Sequence, residues 1–365
     1  MNDLKAWILQ EVGKIEYTEV DIPKVSKKDV LVKVMASGIC GSDIQRIYEN
    51  GAHKMPLIIG HEFSGQVVKV GDPSNDSYIG KRVGIFPLIP CKTCDSCKVG
   101  KYELCSNYSY LGSRQDGGFA DYVSVPLWNV IKLPSEVSYE EGAMLEPLAV
   151  AVHAIRRISS IENQKVVVYG LGTIGLLLSM ILIDRGVEEI FVIGNKEFQK
   201  QKAISIGIKE SHYCDIREHD AIQYILSITQ GQGADVVFEC IGRNETISNA
   251  IEMASPEGKI CFVGNPYTDV VLSKNTYWKI LRKQLWISGT WNSSFKGSGV
   301  ENLASDNLDD WQYALNLLKE NRIQPTVLIT HRLSFSALDQ GFCIMKEKKV
   351  DYIKIMKCEE GNYNF

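Results

Sequence analysis

Between residues 29 and 125 the chain runs through short apolar–polar alternations, "DVLVKVMASGI", "FSGQVVKVG", "KRVGIFPLI" and "ADYVSV", cut by glycine and proline. Period-two alternation is the mark of a strand with one buried face, and short strands between turn residues predict an antiparallel, barrel-like β domain. From about residue 151 the pattern changes. "KVVVYG", "EEIFVIGN", "ADVVFECIG", "GKICFVG" and "QLWISGT" are apolar runs separated by helix-like stretches such as "KEFQKQKAISIG" and "NETISNAIEMAS". That spacing predicts βαβ units and a parallel sheet, so the fold class is α/β. After about residue 290 the alternation stops. An amphipathic helix, "NLDDWQYALNLLKE", and a final strand, "DYIKIMKC", are expected to pack back on the first domain. The predicted division is 1–150 with 290–365, and 151–289.

Residues 166–183 carry no charge, close to the minimum for a membrane span, but Gly170, Gly172 and Gly175 break them into strand, turn and helix. The 365 residues are 45% hydrophobic, enough for two cores. A net charge of −4 and no basic stripe speak against nucleic acid or an anionic membrane as partner. The opening "MNDLKAWILQEVGKIEYTEV" reads as strand and turn rather than a leader, so a cytoplasmic location is expected. In that reducing setting clustered cysteines read as metal ligands and not disulfides. Cys214, Cys240, Cys261, Cys343 and Cys358 are scattered and expected as small buried apolar residues. Tyr122, Trp278 and Trp286 are expected in the core.

"YGLGTIG" follows one apolar run and opens another. Gly170, Gly172 and Gly175, with Thr173 and Ile174 in the same turn, fit a pyrophosphate at a helix N-terminus, where free N–H groups point outward. In dinucleotide folds an acidic residue about twenty positions on binds the ribose 2′-hydroxyl of NAD. Here the next strand ends in Gly194, Asn195 and Lys196, with no carboxylate at its tip. The glycine is expected to leave room, and the lysine to offer charge, for a 2′-phosphate. NADP(H) is therefore expected over NAD(H), with Glu197 reaching the ribose as the competing arrangement.

Two further clusters carry metal chemistry. "GICGSD" and "GHEFSGQVVKVG" supply Cys40, His61 and Glu62, a thiolate, an imidazole and a carboxylate that would leave one tetrahedral position open. "CKTCDSCKVGKYELC" places Cys91, Cys94, Cys97 and Cys105 within fifteen residues (the lobe 90–106). Four thiolates describe a closed tetrahedral site with no place for substrate. The competing nucleic-acid zinc ribbon finds no support in the charge.

In this order, across nearly the whole chain, these motifs resemble the zinc-dependent medium-chain dehydrogenase/reductase family. "LEPLAVAVHA", "CGSDIQRIYENGAH", "YLGSRQDGGFADY" and "KILRKQLWISGTWNSS" are similar to its polyol (sorbitol-like) dehydrogenase branch. The resemblance implies a Rossmann doubly wound parallel sheet plus a GroES-like β-barrel catalytic domain. It implies two zincs per chain. Cys40 and His61 would bind the catalytic zinc, with Glu62 and Glu146 as alternating or water-bridged carboxylates, and the four-thiol lobe would hold a structural zinc. Asp43 would orient His61, with an Asx cap on the following helix as its plainer role.

The metal would act as a Lewis acid on a secondary alcohol, which loses hydride to the nicotinamide while Ser42 passes on the proton. Gln45 stands where much of the family has a histidine, so water or a cofactor ribose hydroxyl would complete the relay. Arg46, His53, Lys54 and Arg114 offer cations for a polyol phosphate of the galactitol-1-phosphate kind, and Asn292 beside Trp291 is a further substrate candidate. A free-polyol or threonine-type dehydrogenase, or an inactive nucleotide-binding regulator, are the alternatives. His153, seven residues after Glu146, is expected as a hydrogen-bonded helix histidine and not a ligand. A homodimer or homotetramer is implied, paired through "QLWISG".

Overall fold

The strand Asp29–Ile39 pairs antiparallel with three others: Glu62–Val70, Tyr122–Pro126 and Lys354–Cys358. The computed structural model describes residues 4–158, 161–298 and 308–358. In this first sheet the path runs Val130–Lys132, Arg82–Ile85, Glu62–Val70, Asp29–Ile39, Lys354–Cys358, Ile329–Leu333. A three-stranded sheet has Leu4–Glu11 between Lys14–Val20 and Leu57–Ile58. β-branched side chains dominate one face: Val30, Val32, Val34, Val67, Val83 and Val123 share a core with Phe63.

The tail strand joins as expected, with Ile355 opposite Ile39 and Met356 opposite Gly38. Because these pairings are antiparallel, the last residue of Asp29–Ile39 and the first residues of Glu62–Val70 and Lys354–Cys358 share one end of the sheet. That end carries the chemistry.

These elements form one unit, Met1–Glu146 with Ser294–Phe365; Pro147–Ser293 form another. The second is a six-stranded, all-parallel sheet in the order Tyr213–Asp215, Glu189–Gly194, Lys165–Tyr169, Ala234–Glu239, Ala254–Phe262, Trp286–Gly289. Numbered along the chain within the unit, that order is 3-2-1-4-5-6, the doubly wound arrangement whose switch point lies beside the first strand. The apolar run 166–183 divides into the strand Lys165–Tyr169 and the helix Thr173–Asp184. No helix among the described residues is long and apolar enough to cross a membrane.

Three burial expectations fail. Trp286 is 72% exposed because the strand Trp286–Gly289 is the sheet edge and has one neighbour instead of two, and Trp278, in the helix Lys274–Arg282, is 52% exposed. Cys343 is exposed because its helix, Leu338–Glu347, buries Leu338, Gly341, Phe342 and Met345 at helical spacing and turns position 343 outward. Cys214, Cys261 and Cys358 are buried as expected; Cys240 and Tyr122 are partly covered.

Candidate active site

Cys40 follows the strand Asp29–Ile39 and begins the short helix Gly41–Gln45; His61 precedes the strand Glu62–Val70. Sheet pairing therefore brings Cys40 to the same point as His61 and Glu62, which lie far along the chain from it. The ligand atoms of Cys40, His61 and Glu62 all lie within 4.8 Å of one another. His61 and Glu62 are 4% and 2% exposed, so a charged ligand set is held where water cannot solvate it.

His61 Nδ1 lies 3.3 Å from Asp43 Oδ1, within ion-pair reach but not aligned for a hydrogen bond, and it has no other partner. Asp43 is fully buried. It accepts from the Cys40 N–H at 3.0 Å and from Arg46 Nη1 at 3.0 Å. Asp43 thus caps its helix through the Cys40 N–H and stands within ion-pair reach of His61. Burial opposes its charge, but His61 and Arg46 outweigh burial and hold its pKa below the usual carboxylate range. Burial likewise opposes protonation of His61, yet Asp43 and Cys40 raise its pKa well above normal. A thiol, an imidazole and a carboxylate crowded this closely fit a divalent cation, which would take up the charge that His61 otherwise shares with its neighbours.

Glu146 lies in the helix Tyr139–Arg156, outside the three-ligand cluster, and accepts from Tyr110 Oη at 3.3 Å. Burial pushes its carboxyl up to about 7. Tyr110 also meets the edge of the His61 ring at 5.9 Å. Sequence reading did not single out Tyr110, although it opens the segment "YLGSRQDGGFADY".

The four lobe sulfurs also lie within 4.8 Å of one another. Cys91 and Cys97 Sγ are 4.0 Å apart, and Cys94 and Cys105 Sγ 3.9 Å. A disulfide needs about 2.05 Å. Four Zn–S bonds of about 2.3 Å set sulfurs about 3.8 Å apart, so the spacing fits zinc. Thr93 draws the Cys91 thiol down to about 5, while burial pushes Cys97 up to about 12; only a bound dication lets all four be thiolates together.

The glycine turn in the second unit fits a dinucleotide. A Cβ on Gly175 would lie 1.9 Å from the Gly170 carbonyl oxygen, and Gly170 itself needs φ +104°. Nothing lies within 4 Å of a Cβ on Gly172, so that backbone is open to a close ligand. A Cβ on Gly194 would meet Tyr213 Oη at 3.0 Å and Leu171 Cδ1 at 3.3 Å, so a larger residue would be crowded there.

Two family models match: "Alcohol dehydrogenase GroES-like domain" over residues 26–135 and "Zinc-binding dehydrogenase" over 173–318. The galactitol 1-phosphate 5-dehydrogenase of Escherichia coli is 35% identical over 340 residues, 93% of this chain and 95% of that enzyme. A sorbitol dehydrogenase of Halalkalibacterium halodurans is 32% identical over 336 residues, 92% of this chain and 93% of that one. The crystal structure of galactitol-1-phosphate dehydrogenase from Escherichia coli superposes with a TM-score of 0.88 at 33% identity, covering 97% of this chain and 100% of that one. The chain belongs to the zinc-dependent medium-chain dehydrogenase/reductase family.

Within this dehydrogenase the candidate substrate residues fare unequally. Arg46 is tied to Asp43, and its Nη1 also donates to Ser42 Oγ at 3.1 Å. Arg114 lies over the Tyr108 ring at 4.4 Å, and Tyr108 contacts Tyr110 at 6.2 Å, so aromatic rings link it to the Glu146 and His61 neighbourhood. Its Nε is buried without a partner. His53 and Lys54 are exposed; Lys54 lines a separate cleft with Asp21, Asp29 and Asp116. Asn292 lies in the second unit with φ +53° and a buried, unpartnered Nδ2. In the second unit Arg217 pairs at 2.5 Å with Asp215, the residue opposite Gly194 in the sheet.

Proposed function

We propose that this zinc-dependent dehydrogenase oxidises a secondary alcohol of a polyol phosphate with NADP(H). The supporting observation is the buried convergence of Cys40, His61 and Glu62. Those residues would hold a catalytic zinc, and Cys91, Cys94, Cys97 and Cys105 a structural one. When bound, zinc polarises the alcohol oxygen and the nicotinamide accepts hydride. Asp43 fixes the His61 ring and stays charged, while Tyr110 holds Glu146 beside the cluster. Ser42 Oγ takes the alcohol proton. Arg46 donates into that oxygen, which makes the Ser42 hydroxyl a readier donor onward; a guanidinium cannot itself carry the proton, so water or a ribose hydroxyl receives it.

Arg114 is the cation best suited to a phosphate, since its Nε has no partner and Arg46 is already neutralised. The Arg46–Asp43 pair favours a second reading, in which the substrate is a free polyol. Rates on a panel of polyols and their phosphates separate the two. On the first reading phosphates are preferred, and Arg114→Ala raises their KM about 10- to 100-fold, the worth of a charged hydrogen bond, without touching free polyols. Equal rates on sorbitol and its phosphate would refute phosphate selection. The same panel run with both nucleotides should show higher kcat/KM for NADP, on the absence of a carboxylate at the tip of Glu189–Gly194 and the presence of Lys196. A strong NAD preference sinks that assignment.

The open edge strand Trp286–Gly289, with Trp286, Ile287, Trp278 and Leu281 exposed around it, supports pairing with a second copy as a homodimer or homotetramer. Trp286→Glu should yield monomers by light scattering, and a wild-type protein that is already monomeric overturns the pairing.

A further inference from the structure

Lys354 is a buried charge that none of the family motifs explains. Its side chain is 3% exposed, and its Nζ donates to Glu62 Oε2 at 2.5 Å and to the Ile39 carbonyl at 3.2 Å. Lysines are almost never this deep unless paired.

The placement is specific. Ile39 directly precedes Cys40 and Glu62 directly follows His61, so one ammonium fastens both strand ends that carry the cluster. The same carboxylate oxygen also faces Gly38, which is opposite Glu62 in the sheet. A Cβ on Gly38 would come within 2.4 Å of Glu62 Oε2 and 3.4 Å of Lys354 Cδ. The Glu62 carboxylate therefore occupies a slot bounded by a residue without a side chain and by a cation. Oε2 is committed to the ammonium, which leaves Oε1 for a metal.

We propose that Lys354 is a positioning residue that keeps Glu62 Oε2 off the catalytic zinc, so that the coordination position needed by the substrate alcohol stays open. The inference rests on Cys40, His61 and Glu62 as the holders of that zinc. Thiolate, imidazole and both oxygens of one carboxylate would already supply four donors, the full tetrahedral set. A charge-assisted hydrogen bond in a buried setting is strong enough to compete for the second oxygen.

The test uses zinc-loaded enzyme and two different perturbations of the slot, one of its cation and one of its wall. Lys354→Met removes the clamp. Gly38→Ala displaces the carboxylate while leaving every charge in place, and carries the test alone if Lys354→Met fails to fold. Both should keep two zincs per chain by elemental analysis. After cobalt substitution both should shift the visible bands toward higher coordination. Both should lower kcat/KM for the alcohol about 10- to 100-fold, chiefly through KM. Lys354→Arg, which retains a cationic donor, should recover most of that loss. Departure of the catalytic zinc from both variants would make Lys354 a scaffold residue and overturn the inference. Unchanged cobalt spectra with two zincs present would overturn it too while leaving the site assignment standing. A single zinc in the wild-type chain brings down the assignment and the inference together.

Discussion

Cys40→Ser is expected to abolish turnover and to cost the chain the zinc that Cys40, His61 and Glu62 would hold, while leaving the fold intact. Cys40 is only partly buried and sits just past the end of the strand Asp29–Ile39, so its sulfur is not part of the packed core. Serine nearly matches its shape and leaves the Cys40 N–H bond to Asp43 in place. What changes is the donor: a hydroxyl stays protonated where a thiolate beside His61 would bind metal. A Lewis acid is worth several kcal/mol of barrier, and each 1.36 kcal/mol is tenfold, so the loss should be on the order of 10³-fold or more. Zinc content, activity and far-ultraviolet circular dichroism on one preparation decide the matter. Persistent activity with two zincs per chain would exclude Cys40 as a ligand.

Residues placed to bind metal directly were legible because coordination restricts both residue type and spacing. Cys40, His61 and the four lobe cysteines can be picked out without a fold. The glycine turn was legible for a similar reason, since Gly175 and Gly170 approach too closely for any side chain. Residues that act on the ligands were not. Lys354 lies in "DYIKIMKC", which the sequence marks only as a final strand, with nothing to single out a lysine. In the fold that strand is interior, between Asp29–Ile39 and Ile329–Leu333, and all five of its residues are buried. Local pattern cannot say whether a strand is central or at an edge. The same ambiguity ran the other way for Trp286, whose apolar strand is the sheet edge. Arg46 shows a third limit: the sequence offers the cation, and only the fold shows Asp43 already holding it.

Disrupting the four-cysteine lobe should do the opposite of Cys40→Ser, lowering stability while sparing the rate. Its regular structure is the four-residue helix Asp95–Lys98 and the single turn Tyr102–Leu104, and Val99 and Leu104 are 71% and 53% exposed. So little apolar burial cannot offset the entropy of ordering the segment, and metal binding must supply the difference. The lobe meets the rest of its unit at Trp128, through Tyr102 at 5.1 Å and Lys92 at 4.7 Å, so its loss loosens that contact. For Cys97→Ser, a cost of about 3–5 kcal/mol at 2–4 °C per kcal/mol predicts a fall in Tm on the order of 10 °C. Zinc should drop from two to one per chain and Trp128 emission should shift, while kcat per folded molecule stays within about twofold because every lobe ligand is sulfur and none is open to substrate. Calorimetry alongside initial rates reads both quantities. A large fall in kcat at unchanged Tm would mean that the lobe takes part in the chemistry and is not a scaffold.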